Sequence, residues 1–151
     1  MVPWRDPVVE RVGHDACGDY VEAFWIATLG PTATWLLRRL AVVVSQHPDG
    51  FVVDLAELAT AVGLGTDESR TSTVRKALHR LVLFGLAHHT GDGLAVRTVV
   101  PPLSMKQLSR LPHHLQQAHS MWSDPPVDEA IDAVYSFGRA VACSATTSSA
   151  C

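Results

Sequence analysis

The sequence predicts a mainly α-helical domain carrying one small β-hairpin, and three observations lead there. Apolar residues recur at helical spacing through most of residues 19–142, Gly and Pro fall between those stretches, and two short β-prone segments flank Gly91-Asp92-Gly93. At 151 residues the chain can form one domain that buries roughly 70% of its unfolded surface. A composition 47% hydrophobic and 18% charged excludes a disordered chain. The longest uncharged run, Ala23 to Leu37, is broken by Gly30-Pro31 and is shorter than the about 18 to 20 residues that span a bilayer, so no membrane association is expected. Residues 1–6 have neither a basic nor an apolar leader region, and the three cysteines are odd in number and widely spaced. A cytoplasmic protein without a disulfide framework is the expectation.

Residues 1–18 hold Pro3, Pro7, Gly13 and Gly18 without a helical period and are expected as an extended arm. A single domain is expected over 19–142, with a core at about 31–100. Its first flanking helix, 19–29, opens on the D-x-x-E pair Asp19 and Glu22 and stops at Gly30. Pro31 suits the first turn of a second helix, which carries Trp35, Leu36, Leu40, Val43 and Val44 as far as His47-Pro48. It is apolar around most of its circumference and therefore central. Phe51-Val52-Val53 reads as a short strand, followed by a helix capped at Asp54 and ended by Gly63. A further helix begins near Thr71 and runs to Gly85. Segments 86–90 and 94–99 form the hairpin, and Pro101-Pro102 closes it. Ser104 and Gln107 resemble a capping box for a flanking helix over 104–122, kinked or restarted at Pro112. The last helix is expected over 125–142, with a Ser/Thr/Ala-rich tail, 143–151, poorly ordered.

The net charge of −3 argues weakly against a polyanionic partner, but the charge is segregated. Between Ser69 and Arg110 seven cations stand against the single acid Asp92, a net of +6. One basic face on an otherwise acidic body follows, with ordinary solvated surface as the alternative.

The order helix, short strand, helix, turn, helix, hairpin over 31–100 resembles a winged helix-turn-helix domain. Residues 53–64 look like the first helix of the motif, and Thr73 to Leu86 look like its recognition helix running into a first wing strand. The likeness is to the superfamily that includes MarR-, ArsR- and PadR-type bacterial regulators. It implies transcriptional regulation through double-stranded DNA, bound as a two-fold dimer. Stepping 100° per residue from Val74 puts Val74, Leu78, Leu81 and Gly85 on the core face and Ser72, Lys76, His79 and Leu83 opposite. The expected DNA contacts are Arg75, Lys76 and Arg80, with Ser72, Thr73 and His79 on the same surface and Arg70 just ahead of it. Arg97 is the expected wing contact, because Asp92 is the wrong charge for a wing tip. Leu83 has no task in reading DNA and is expected to pack on a neighbouring helix.

The residues also bear on other chemistry. Helices 19–29, 104–122 and 125–142 offer more apolar stripe than one small core covers, which points to a homodimer. Tyr20, Phe24, Trp25 and Trp35 read as plain core or as a pocket for a small apolar effector. Six of the eight histidines fall between His79 and His119, but their spacing does not build the closed set of ligands a structural metal needs. His14 and Cys17 form an H-x-x-C pair whose third ligand would have to be Cys143. Asp15 and Asp19 beside Cys17 disfavour a reactive thiolate. With no nucleophile elbow, phosphate loop or paired carboxylates, neither an enzyme nor a cofactor is expected. The alternatives to DNA binding are a winged-helix module that docks on a protein, and a metal- or redox-responsive regulator.

Overall fold

The computed structural model describes residues 1–64, 68–91 and 93–122, with residues 68–70 described by backbone only. The chain divides into two compact units, Met1–Gln117 and Ala118–Cys151. The expected helix 125–142 and tail 143–151 lie outside the described residues, as does the turn residue Asp92.

The first eighteen residues are not a loose arm. They form strand β1 (Val2–Trp4), helix α1 (Pro7–Val12) and strand β2 (His14–Asp15). Asp6 caps α1, accepting from the backbone N–H of Val8 at 3.0 Å and of Val9 at 3.4 Å, and Pro7 fills the first helical position. The Pro and Gly content that suggested irregular chain instead marks a cap and a turn.

Next comes a helical stretch wound as a π-helix over Val21–Trp25 and as helix α2 over Ile26–Leu29. The Ile26 N–H reaches back five residues to the Val21 carbonyl. Val21, Phe24 and Trp25 are buried together there. Glu22 pairs with Arg38 at 2.9 Å, where a capping role beside Asp19 was expected. Helix α3 (Pro31–Gln46) is the central element, burying Leu36, Leu37, Leu40 and Val44. Helix α4 (Leu55–Ala61) is capped by Asp54, which accepts from Ala56 N at 2.6 Å and Glu57 N at 3.2 Å. Helix α5 (Glu68–Leu83) packs across α3 and α4 through Val74, Ala77 and Leu81.

The hairpin forms as expected, with strand β3 (Ala87–Thr90) antiparallel to strand β4 (Gly93–Arg97). Its third neighbour corrects the sequence reading. Phe51–Val53 forms no ladder; β1 lies parallel to β4 instead, with Val2 opposite Ala95 and Trp4 opposite Arg97. Phe51 contributes only a local pair with Met1: its N–H donates to the Met1 carbonyl at 2.8 Å, and the Met1 amino group donates to the Phe51 carbonyl. Pro3 makes Val2–Trp4 the less strand-like of the two segments, but the tertiary setting selects the one that reaches the sheet edge. Strand β5 (Val99–Val100) pairs antiparallel with β2 in a second small sheet.

Tyr20 and Trp25 fasten the chain after the hairpin to the core. The Tyr20 hydroxyl accepts from Leu103 N at 3.0 Å, and Trp25 Nε1 donates to the Pro101 carbonyl at 3.1 Å. Ser104 and Gln107 form the expected capping box of helix α6 (Met105–Leu108). Pro112 separates α6 from helix α7 (His113–Ser120), so the 104–122 segment is two helices. Among the described residues no helix is long and apolar enough to cross a membrane.

Candidate functional site

The site is built on α5. Val74, Ala77 and Leu81 turn inward, while Arg75, Lys76 and His79 are exposed on the opposite side and Ser72 and Thr73 are half-buried beside them. A period of 3.6 residues accounts for most of this division, but Leu78 and Gly85, expected on the core face, are half-buried and exposed. The helix is stopped by Gly85 at φ +69°, a left-handed conformation that disfavours any side chain. Gly85 N donates to the Val82 carbonyl at 3.0 Å and Leu86 N to the Leu81 carbonyl at 2.8 Å, a Schellman stop that leads the chain into β3.

The expected contact residues on α5 divide into three groups. Arg75 and Lys76 project from the helix with no ion pair among the described residues, and His79 stands one turn further on. Arg80 is exposed but engaged: Nη2 donates to the Thr28 carbonyl at 2.8 Å, near the C-terminal end of α2, and its guanidinium lies over Phe84. Arg70 belongs to α5, and its side chain lies outside the described residues. Leu83, expected to pack on a neighbour, is 67% exposed on the same outer surface as Lys76 and His79.

Arg97 overturns the expectation of a wing contact. It is 7% exposed, and its guanidinium is consumed inside the fold. Nε donates to the Gly85 carbonyl at 2.9 Å, Nη2 donates to Asp6 Oδ2 at 3.0 Å, and the cation lies over the Trp4 ring at 3.5 Å from its centroid. One residue thus ties the end of α5, the cap of α1 and the edge strand β1 together. The sequence carried one local signal for this cluster, the Asp6-Pro7 pair at a helix start; the long-range partner was not legible.

The Arg97 hydrogen bond holds the Asp6 carboxyl below its ordinary pKa of 3.8, against a smaller upward push from partial burial. A carboxyl depressed in the folded state contributes stability above its unfolded pKa and loses it as the pH falls through the folded value. The thermal midpoint of the wild-type chain should therefore drop below about pH 4, and Asp6→Asn should abolish that part of the drop. Superimposable melting-versus-pH curves for the two proteins would refute the coupling.

A groove of about 470 Å³ runs beside α5. Arg75, Leu78, His79 and Val82 form its helical side. The segment Phe51–Val53 and the hairpin residues His89 and Leu94 form the other. Sequence reading missed it because its far wall depends on where Phe51–Val53 settles.

The four aromatics considered for an effector pocket do not gather round one cavity. Tyr20, Phe24 and Trp25 are core side chains exposed by no more than 2%, whereas Trp35 is 51% exposed on α3 and stacks with Arg38. Among the described residues no group of three or more His, Cys, Asp and Glu side chains converges. His14 stacks on Tyr20 at 3.5 Å, and Cys143 lies outside the described residues. Burial, with a smaller contribution from Asp15, pushes the Cys17 thiol pKa up, and its Sγ donates to the Arg38 carbonyl at 3.6 Å. A thiol held protonated in this way is a poor nucleophile. Comparison with family models, with curated proteins and with solved structures finds no match to this chain.

Proposed function

We propose that the chain is a sequence-specific DNA-binding transcriptional regulator, a winged helix-turn-helix in which α4 and α5 form the helical pair and β3 and β4 the wing. The observation that carries the reading is the outer face of α5. Arg75, Lys76 and His79 project from a helix whose opposite side is fixed in the core, so donors for phosphate oxygens and base edges are presented on a rigid rod of major-groove width. Ser72 and Thr73, in the second turn of α5 because the helix starts at Glu68 and not near Thr71, adjoin them with small hydroxyls that suit phosphate. Arg97 is no part of this contact set, and Arg80 joins it only by giving up the Thr28 carbonyl. The strand beside β4 is β1, from residues expected as an extended arm, and Phe51–Val53, expected as a short strand, forms no ladder.

The test is selection of bound fragments from the organism's own genome. A regulator enriches one defined duplex, and failure to retard any duplex at low salt sinks the proposal. Leu83 favours one competing reading. An apolar side chain 67% exposed in the middle of a basic face suits a protein surface better than a DNA groove. A module that docks on a protein would enrich an acidic partner in place of a duplex.

A homodimer is part of the proposal, on revised grounds. The apolar side of residues 19–29 is spent in the chain's own core, so it leaves no surplus for a partner. Trp35 and Val42, seven residues apart on one face of α3, remain 51% and 44% exposed and are the residues a second copy would cover. Sedimentation at micromolar concentration should give twice the chain mass, reduced to the single mass by Trp35→Glu. A wild-type monomer overturns the dimer.

A further inference from the structure

The groove beside α5 has a wall chemistry that selects a class of ligand. Its 470 Å³ falls within the roughly 300 to 1,000 Å³ of small-molecule sites. Val53, Leu78, Val82 and Leu94 make the lining aliphatic, with Phe51 the one aromatic side chain among the described lining residues. Arg75 is the one formally charged side chain among them; the Met1 amino group, also on the lining, is spent on the Phe51 carbonyl, no carboxylate is present there, and His79 and His89 add imidazoles. A molecule matching both parts has an apolar tail and an anionic head. The tail displaces water from the aliphatic walls, and a carboxylate accepts two parallel hydrogen bonds from a planar guanidinium.

We propose that this groove binds an aliphatic carboxylate of the fatty-acid type, with Arg75 taking the headgroup and Leu78, Val82 and Leu94 the chain. Val52, Val53, Leu78, Val82 and Leu94 outnumber the rings of Phe51, His79 and His89 in the lining, which favours a flexible alkyl tail over a flat one. Arg75 also belongs to the proposed DNA face. A carboxylate seated on it withdraws that cation from phosphate, so duplex and ligand weaken each other by the same factor. This regulatory consequence rests on the DNA reading, whereas the site itself does not.

The experiment titrates decanoate into the full chain with labelled Val and Leu methyls, with decanol, decylammonium and naphthoate in parallel. Decanoate should shift the methyls of Leu78, Val82 and Leu94 saturably and bind about tenfold or more tighter than decanol, as a charge-assisted hydrogen bond requires. Arg75→Gln should reduce decanoate to the affinity of decanol and leave decanol unchanged. The proposal is overturned if the shifts are absent or fall elsewhere, if decylammonium matches decanoate, if naphthoate binds tighter, or if Arg75→Gln keeps the preference for the acid. Duplex binding is read separately on the same samples. If no duplex binds, the methyl shifts still decide the site. If a duplex does bind, decanoate should weaken it in the wild type and not in Arg75→Gln, and an unaffected wild type removes the regulatory consequence alone.

Discussion

Replacing Arg75 and Lys76 together by alanine should weaken duplex binding by about a hundredfold or more at low salt, while leaving the thermal midpoint nearly unchanged. Both side chains are exposed and take no part in an ion pair among the described residues, so their removal costs the fold little. The magnitude follows from what each can do. A cation on phosphate contributes about 0.9 to the slope of log affinity against log salt, and a bidentate arginine on guanine contributes ~1 to 3 kcal/mol at one base pair. Two phosphate contacts would therefore lower the salt slope by about 1.8. One phosphate and one base contact would lower it by about 0.9 and flatten the preference at a single position of the selected site. Anisotropy titrations from about 50 to about 200 mM salt separate these cases. Arg80→Ala should do less, because its guanidinium already serves the Thr28 carbonyl. Undiminished binding by the double variant would remove α5 as the reading element.

That face was legible in the sequence because it is a local property. Val74, Ala77 and Leu81 define an inward stripe, and every side chain between them follows from the helical period. Asp54, Gly85 and the Ser104–Gln107 box marked their helix ends for the same reason: each acts on backbone groups two to five residues away. What the sequence concealed depends on distant partners. Pro3 argues locally against Val2–Trp4 and for Phe51–Val53 as the strand, and the register of Val2 against Ala95, which decides otherwise, spans more than ninety residues. Charge alone places Arg97 on a basic surface, yet its carboxylate partner Asp6 lies 91 residues away and its aromatic partner Trp4 on β1. Counting charges along a chain treats every arginine as solvated, and the ones that bind inside a fold invert the conclusion drawn from them. The groove was hidden by the same uncertainty, since Phe51–Val53 paired in the sheet would not stand as its wall.

Arg97→Met puts the reassignment of that residue to a direct test. The substitution keeps the length of the stem and deletes the cation, so the Gly85 carbonyl loses its charge-assisted donor and Trp4 loses the guanidinium stacked on its face. Such a hydrogen bond is worth about 1.5 to 3 kcal/mol, and a desolvated cation over an indole about 2. The Asp6 contact faces partly to solvent and adds little to this sum, and the methionine recovers some packing, so a net loss on the order of 3 kcal/mol is expected. For a chain of this size that lowers the thermal midpoint by roughly 10 °C. Because β1 is held through Trp4 and the Asp6 cap, amide exchange over Val2–Trp4 should rise more than exchange in α3. The salt slope of duplex binding should stay where it was, since Arg97 reaches no phosphate from inside the fold. The opposite pattern, an unchanged midpoint with a slope reduced by about 0.9, would return Arg97 to the surface of a wing and detach β1 from the structural role argued for it.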